Sequence, residues 1–96
     1  MLPFRQMHTH FLWDHRPGRN LEHIAEHGMT STLWEEVFHR ATRHAPDKDD
    51  VTVTVAEGRV RGRWYRLLYA VLEDGAIVPL TVLPMTGFPI ERRGLR

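Results

Sequence analysis

The apolar residues of this chain change their spacing once, near residue 50, and that change limits the fold more than any other feature. Between residues 33 and 41, Leu33, Trp34, Val37, Phe38 and Ala41 recur at i, i+1, i+4, i+5 and i+8, one stripe of an amphipathic helix. From residue 51 the spacing becomes two, and "VTVTVAEG" sets Val51, Val53 and Val55 on one side of a strand. Helical spacing first and strand spacing afterwards predict segregated elements, an α+β fold. The 96 residues are enough for a single domain, 1–96. A domain of this size buries only about 60–65% of its unfolded surface, so a partner subunit is a natural source of further stability.

Local punctuation divides these segments. In "RPGRN", residues 16–20, a turn ends on Asn20, a good helix N-cap. Leu21 and Ile24 share a face after it, and Gly28 supplies the left-handed residue that stops a helix. Thr30 then caps the next one, which makes a helical hairpin with one apolar side. "HAPDKDD", 44–50, reads as a loop, and 51–58 as a strand. In "RVRGRWYRLLYAVL", 59–72, a turn at Arg61-Gly62 leads into a run apolar on both faces, as in a central strand. "EDG", 73–75, is a second tight turn, and 76–84 is a further strand in which Pro79 implies an edge or a bulge. "HTHFLWD", 8–14, reads as a short first strand, and the tail from Met85 as a short helix or extended arm. The expected order is β-α-α-β-β-β, a two-helix hairpin packed on an antiparallel sheet.

The chain has no cysteine, hence neither a disulfide framework nor a thiolate metal site. Its first residues lack the long apolar core of a signal peptide, and no run approaches a membrane span. A cytoplasmic protein without a membrane association is expected. The net charge of +1 conceals a division. Residues 1–50 carry six Lys/Arg against eight Asp/Glu, whereas residues 51–96 carry seven, all arginine, against four. Arg59, Arg61, Arg63 and Arg66 form a local basic patch. Arginine is suited to phosphate and stacks on bases. A GC-rich genome that encodes Arg in place of Lys, or a solvated or partner-facing edge, explains the same residues without a ligand.

Three further groups bear on chemistry. His23 and His27 stand at i, i+4 and fit a metal clamp, with His8, His10 and His15 as third ligands only at unconvincing spacing. The plainer role of His27 is as a cation at a helix C-terminus, favoured by its dipole, and no metal cofactor is expected. Glu35 and Glu36 are adjacent and point about 100° apart, which disfavours joint action on one substrate and fits a solvated helix face. Trp34 and Trp64 read as core or near-core, with base stacking on an exposed ring as the alternative.

Taken in order, Trp13-Asp14, the run "NLEHIAEHG" from Asn20 to Gly28, Thr30, Glu35 to Phe38, "GRVRGR" at 58–63, Tyr69, Met85-Thr86 and Glu91 to Arg93 resemble the BrnT family of bacterial toxins. That family belongs to the wider RelE/ParE-like group, and the likeness covers about 85 of the 96 residues. What the resemblance implies is a toxin of a type II toxin–antitoxin system, a ribonuclease that inhibits translation. An antitoxin protein encoded next door would neutralise it; separately from the resemblance, a sheet of few strands leaves edges to cover, which makes a homodimer of the chain alone possible. Cleavage in this group is metal-independent: the ribose 2′-OH attacks the adjacent phosphate, with a base, an acid and cations supplied by side chains. On that reading His27, Arg63 and Arg92 are the catalytic candidates, and Arg59, Arg61, Arg66 and Arg93 bind RNA. The chain departs from the pattern at "VLPMT", where Leu83 stands in place of an arginine, and two extra residues separate Met85-Thr86 from Glu91. The alternative is a catalytically degenerate toxin-like scaffold that binds an antitoxin-like partner or RNA without cleaving it.

Overall fold

The computed structural model describes residues 9–85. Two helices, α1 (Asn20–Glu26) and α2 (Ser31–Arg40), precede four strands: β1 (Arg43–Pro46), β2 (Thr54–Val60), β3 (Arg63–Val71) and β4 (Ile77–Met85). The strands form one antiparallel sheet in the order β1-β2-β3-β4. Helix α2 lies against β2 and β3, and α1 lies against β4. The α+β class and the helical hairpin on an antiparallel sheet are therefore as the sequence predicts. Among the described residues no helix is long and apolar enough to cross a membrane.

The helix boundaries follow their local chemistry. Gly28 has φ +77° and ends α1; its N–H donates to Ala25 O, and the Met29 N–H donates to Ile24 O. Those two bonds satisfy the last carbonyls of α1 and bring Met29 onto Ile24, both buried in the core. The Thr30 side chain accepts from the Leu33 N–H at 3.1 Å and opens α2. Asn20 is a different matter. It is the first residue inside α1 rather than its cap, and its side chain makes tertiary bonds. Oδ1 accepts from the Asp14 N–H, while Nδ2 donates to the carbonyls of Leu12 and Pro79. Asn20 thus clasps the N-terminal segment, α1 and β4 together.

Three strand expectations need correction. The segment read as a first strand, 8–14, is reduced among the described residues to one parallel bridge, Phe11 to Ile77, held by two backbone bonds at 2.8 Å. Part of the stretch read as a loop, 44–50, belongs to β1, because Arg43–Pro46 pairs with Thr54–Glu57. The expected three-stranded meander is thereby a four-stranded one. The alternation at 51–58 also points the other way from its valines. Val51 is 79% exposed, β2 begins only at Thr54, and the buried side of β2 is Ala56, Gly58 and Val60. Space decides this: a Cβ on Gly58 would lie 2.8 Å from the Val37 carbonyl oxygen and 3.0 Å from the Ala41 Cα. Helix α2 comes so close to β2 that position 58 has no room for a side chain, so the phase that carries Gly58 faces the helix and the Val53–Val55 side faces away.

The core joins Ile24, Met29, Trp34 and Val37 from the helices to Ala56, Val60, Leu67, Tyr69, Ile77 and Val82 from the sheet. Trp34 is fully buried, stacks on Phe38, and is met edge-on by Phe11, Trp13 and Tyr69. The turn Arg61-Gly62 and the turn at Gly75 occur where expected, with positive φ at all three residues. Pro79 sits in edge strand β4 at the register shift opposite Leu68/Tyr69, which agrees with the edge or bulge it implies. The outer side of β4 is closed by other groups. Ile77 pairs with His10 and Leu12, the Pro79 carbonyl takes Asn20 Nδ2, and the Thr81 carbonyl takes Trp34 Nε1 at 3.3 Å. Such an edge has few free groups left for strand addition.

Candidate nucleic-acid interface on the open sheet face

Because both helices pack on one side, the other side of the sheet is uncovered among the described residues, and strand alternation decides which residues it displays. Side chains alternate across a strand, so the buried set Ala56, Gly58 and Val60 forces Val55, Glu57 and Arg59 outward. In β3 the buried Leu67 and Tyr69 likewise turn Trp64, Arg66 and Leu68 to the open side. The register then aligns Arg43 with Glu57, Glu57 with Arg66, and Arg66 with Leu83. One cross-strand row, Arg43–Glu57–Arg66–Leu83, runs over all four strands. A groove of about 380 Å³ follows it, walled by Arg43, Lys48 and Arg66 and floored by Val55, Leu68 and Leu83.

Within the groove Arg66 Nε and Nη2 both reach Glu57 Oε2, at 2.9 and 2.7 Å. The arginine side chain is 41% exposed and the glutamate 19%. Beside the row, Arg59 pairs across the strands with Trp64, whose half-buried ring keeps its N–H out of solvent with no partner among the described residues. An aromatic plane next to arginines is the usual equipment for a single-stranded nucleic acid: cations for the phosphates and a ring for a base. An apolar floor offers the face of a base somewhere to lie.

The sequence-predicted residues separate. Arg59 and Arg66 are on the open face. Arg61, at φ +52° in the turn, bends toward α2 and pairs with Glu36 at 3.4 Å. Arg63 alternates with Tyr65, Leu67 and Tyr69, so it starts on the helix-facing side of β3, exposed. The four arginines of the patch therefore do not converge on one ligand. His27 caps the C-terminus of α1 in an exposed position, its ring centroid 4.9 Å from that of His23. Neither His27 nor Arg63 lines the groove. Arg92 and Arg93, like His8 and the tail beyond Met85, lie outside the described residues. His23 Nε2 sits 2.9 Å from Thr81 Oγ1, facing the sheet edge. Among the described residues no group of three His, Asp or Glu side chains is gathered as a metal site.

The adjacent acids of α2 diverge as their spacing predicts, but each has a partner in place of open solvent. Glu35 accepts from Trp13 Nε1 at 2.7 Å, and Glu36 pairs with both Arg40 and Arg61. Asp14, hydrogen-bonded by the Arg16 guanidinium and N–H, is held well below the usual carboxylate range. It lies in a second cleft, of about 500 Å³, between α1 and β4 with Arg19, Asn20 and His23. The polar groups there already bind one another, which makes that cleft a clasp of the fold.

Arg43, Lys48 and Glu57 belong to the groove and are not singled out by motif or patch. For Glu57 the sequence does hold a clue, because "AEGRV" alternates small or apolar with charged residues, the reverse phase of "VTVTV". Arg43 lies in a stretch with no strand periodicity, so only its pairing with Glu57 reveals it. Tyr69, one of the positions of the resemblance, lies in the core and not in the groove. Its hydroxyl meets His44 Nδ1 at 2.8 Å within the aromatic cluster, and burial pushes its pKa up. No family model matches the chain, and neither a curated protein nor a solved structure does.

Proposed function

We propose that this protein is a toxin of the BrnT-like, RelE/ParE-like kind that acts on RNA through the open face of its sheet. The observation that supports the reading is the row Arg43–Glu57–Arg66, with Lys48 and Arg59 beside it, on the one face that the helices leave free. Cations from three strands and one turn meet a chain of phosphates better than a cluster on one loop, because the sheet fixes their separation. Cleavage by the ribose 2′-OH needs such cations, since charge accumulates on the phosphorane oxygens as the bond forms. Removing one donor of this kind typically costs about 3–4 kcal/mol of transition-state stabilisation. The antitoxin, encoded next to the toxin, would neutralise it by covering this face.

The reading is tested by inducing the chain in bacteria with and without the neighbouring open reading frame, and following growth and RNA integrity. Expected are growth arrest and RNA loss that persists with EDTA in the cleavage assay, rescue by the neighbour, and loss of the effect in Arg66→Ala. A second reading has one observation in its favour. Leu83 closes the row where the resemblance would place an arginine, and Glu57 already occupies Arg66. Both reduce the positive charge available to a transition state and suit a scaffold that binds a partner or RNA without cutting it. Harmless expression with intact RNA, together with a stable complex with the neighbour's product, would select that scaffold.

A further inference from the structure

Resting on the RNA reading of the open face, we infer that Glu57 is the proton acceptor of the cleavage step. The groove contains two carboxylates, Asp47 and Glu57. Asp47 Oδ2 is taken by the N–H groups of Asp49 and Asp50, which holds it in its own turn. Glu57 is anchored instead by a side chain of the neighbouring strand, in the middle of the charged row. Both guanidinium contacts of Arg66 fall on Oε2, at 2.9 and 2.7 Å, and no described donor reaches Oε1. One oxygen therefore fixes the carboxylate, and the other, with no described donor on it, is left able to accept. Arg43, the cross-strand neighbour on the other flank, and the unused N–H groups of Arg66 leave cations on both sides of the same carboxylate. A base between two phosphate-seeking cations is where an attacking ribose hydroxyl would have to lie.

The step balances with groups of the groove. Glu57 Oε1 takes the 2′-OH proton as O2′ bonds to phosphorus, and the P–O5′ bond breaks with its electron pair going to O5′. The leaving oxygen takes a proton from the Lys48 ammonium on the groove wall. The products are a 2′,3′-cyclic phosphate and a 5′-hydroxyl, and water restores both side chains. Arg66 serves the reaction twice, by orienting Glu57 and by meeting a non-bridging oxygen. A cross-strand ion pair with no part in chemistry has the same Oε2 contacts, so the experiment must separate the two roles.

The test uses the purified full chain, a synthetic single-stranded RNA and its 2′-deoxy counterpart, which cannot be cleaved. Single-turnover cleavage is followed across pH, and binding to the deoxy strand by fluorescence anisotropy. Glu57→Gln, with an unchanged circular dichroism spectrum, should bind within about threefold of wild type while cleavage falls by about 100-fold or more and the acid limb of the pH profile disappears. Glu57→Asp should cleave slowly with the limb retained. Cleavage by Glu57→Gln within about threefold of wild type, or a parallel loss of binding and cleavage, assigns Glu57 to structure and overturns the inference while the RNA reading stands. Wild type that binds without cleaving overturns the proton transfer alone and selects the binding scaffold. Wild type that does neither removes both.

Discussion

On one side of β2 stand Ala56, Gly58 and Val60; on the other stand Val55, Glu57 and Arg59. The same seven-residue strand is thus a packing surface and a charged surface at once, and the two sides obey different rules. The helix-facing side is limited by volume, because the backbone of α2 leaves no room for a Cβ at position 58. The open side is limited by charge, since Arg43, Glu57 and Arg66 follow one another across three strands. A change on the first should therefore be felt as stability, and a change on the second as binding. That contrast is the clearest guide to which residues belong to function.

The largest effect is expected at the centre of the packed side. Trp34→Ala removes a fully buried ring that contacts Phe11, Trp13, Phe38 and Tyr69, and should lower unfolding free energy by about 3–5 kcal/mol in urea titration. A loss under 1 kcal/mol would mean that the helix hairpin does not rest on the sheet as described. Next comes Gly58→Ala. Its new Cβ meets main-chain atoms of Val37 and Ala41, which cannot rotate away, so about 1–3 kcal/mol should be lost although the residue gains only a methyl group. A neutral or stabilised variant would show that α2 can lift from β2 freely, and would weaken the account of why the valines face outward.

The smallest change in stability, and the sharpest test of the contrast, is at Leu83. It is 44% exposed and ends the charged row. Leu83→Arg should leave stability within about 0.5 kcal/mol of wild type. It should tighten binding to single-stranded RNA and steepen the dependence of log affinity on log salt by about 0.7, the signature of one added phosphate contact. Unchanged affinity and slope would separate the row from the RNA path and favour a protein partner on this face.

Some of this was legible in residue order because it depends on neighbours along the chain. Gly28 and Thr30 punctuate the hairpin through the left-handed region and a side-chain cap, both within a few residues. The turns at Arg61-Gly62 and Gly75 and the edge position of Pro79 follow from φ preferences and a missing N–H in the same way. The amphipathic stripe from Leu33 to Ala41 needed only helical geometry to place Trp34 and Val37 inside.

Other features required the whole fold. Period-two spacing says that a strand has two sides but not which one is covered, and here the close approach of α2 at Gly58 chose the small side over the valines. Strand β1 exists because Arg43–Pro46 finds Thr54–Glu57 across a turn, with no periodicity of its own. Asn20 has the chemistry of a cap and was taken instead by three partners on the N-terminal segment and β4. The basic patch around residue 61 divides between the two faces of the sheet, while Arg43, Glu57 and Arg66 become neighbours across three strands. Residue order alone determined the helices, their stops and the turns, since those are short-range choices of φ, ψ and hydrogen-bond partner; the face that carries the charged row was decided by register and by the space a helix leaves, which exist only after the chain has packed.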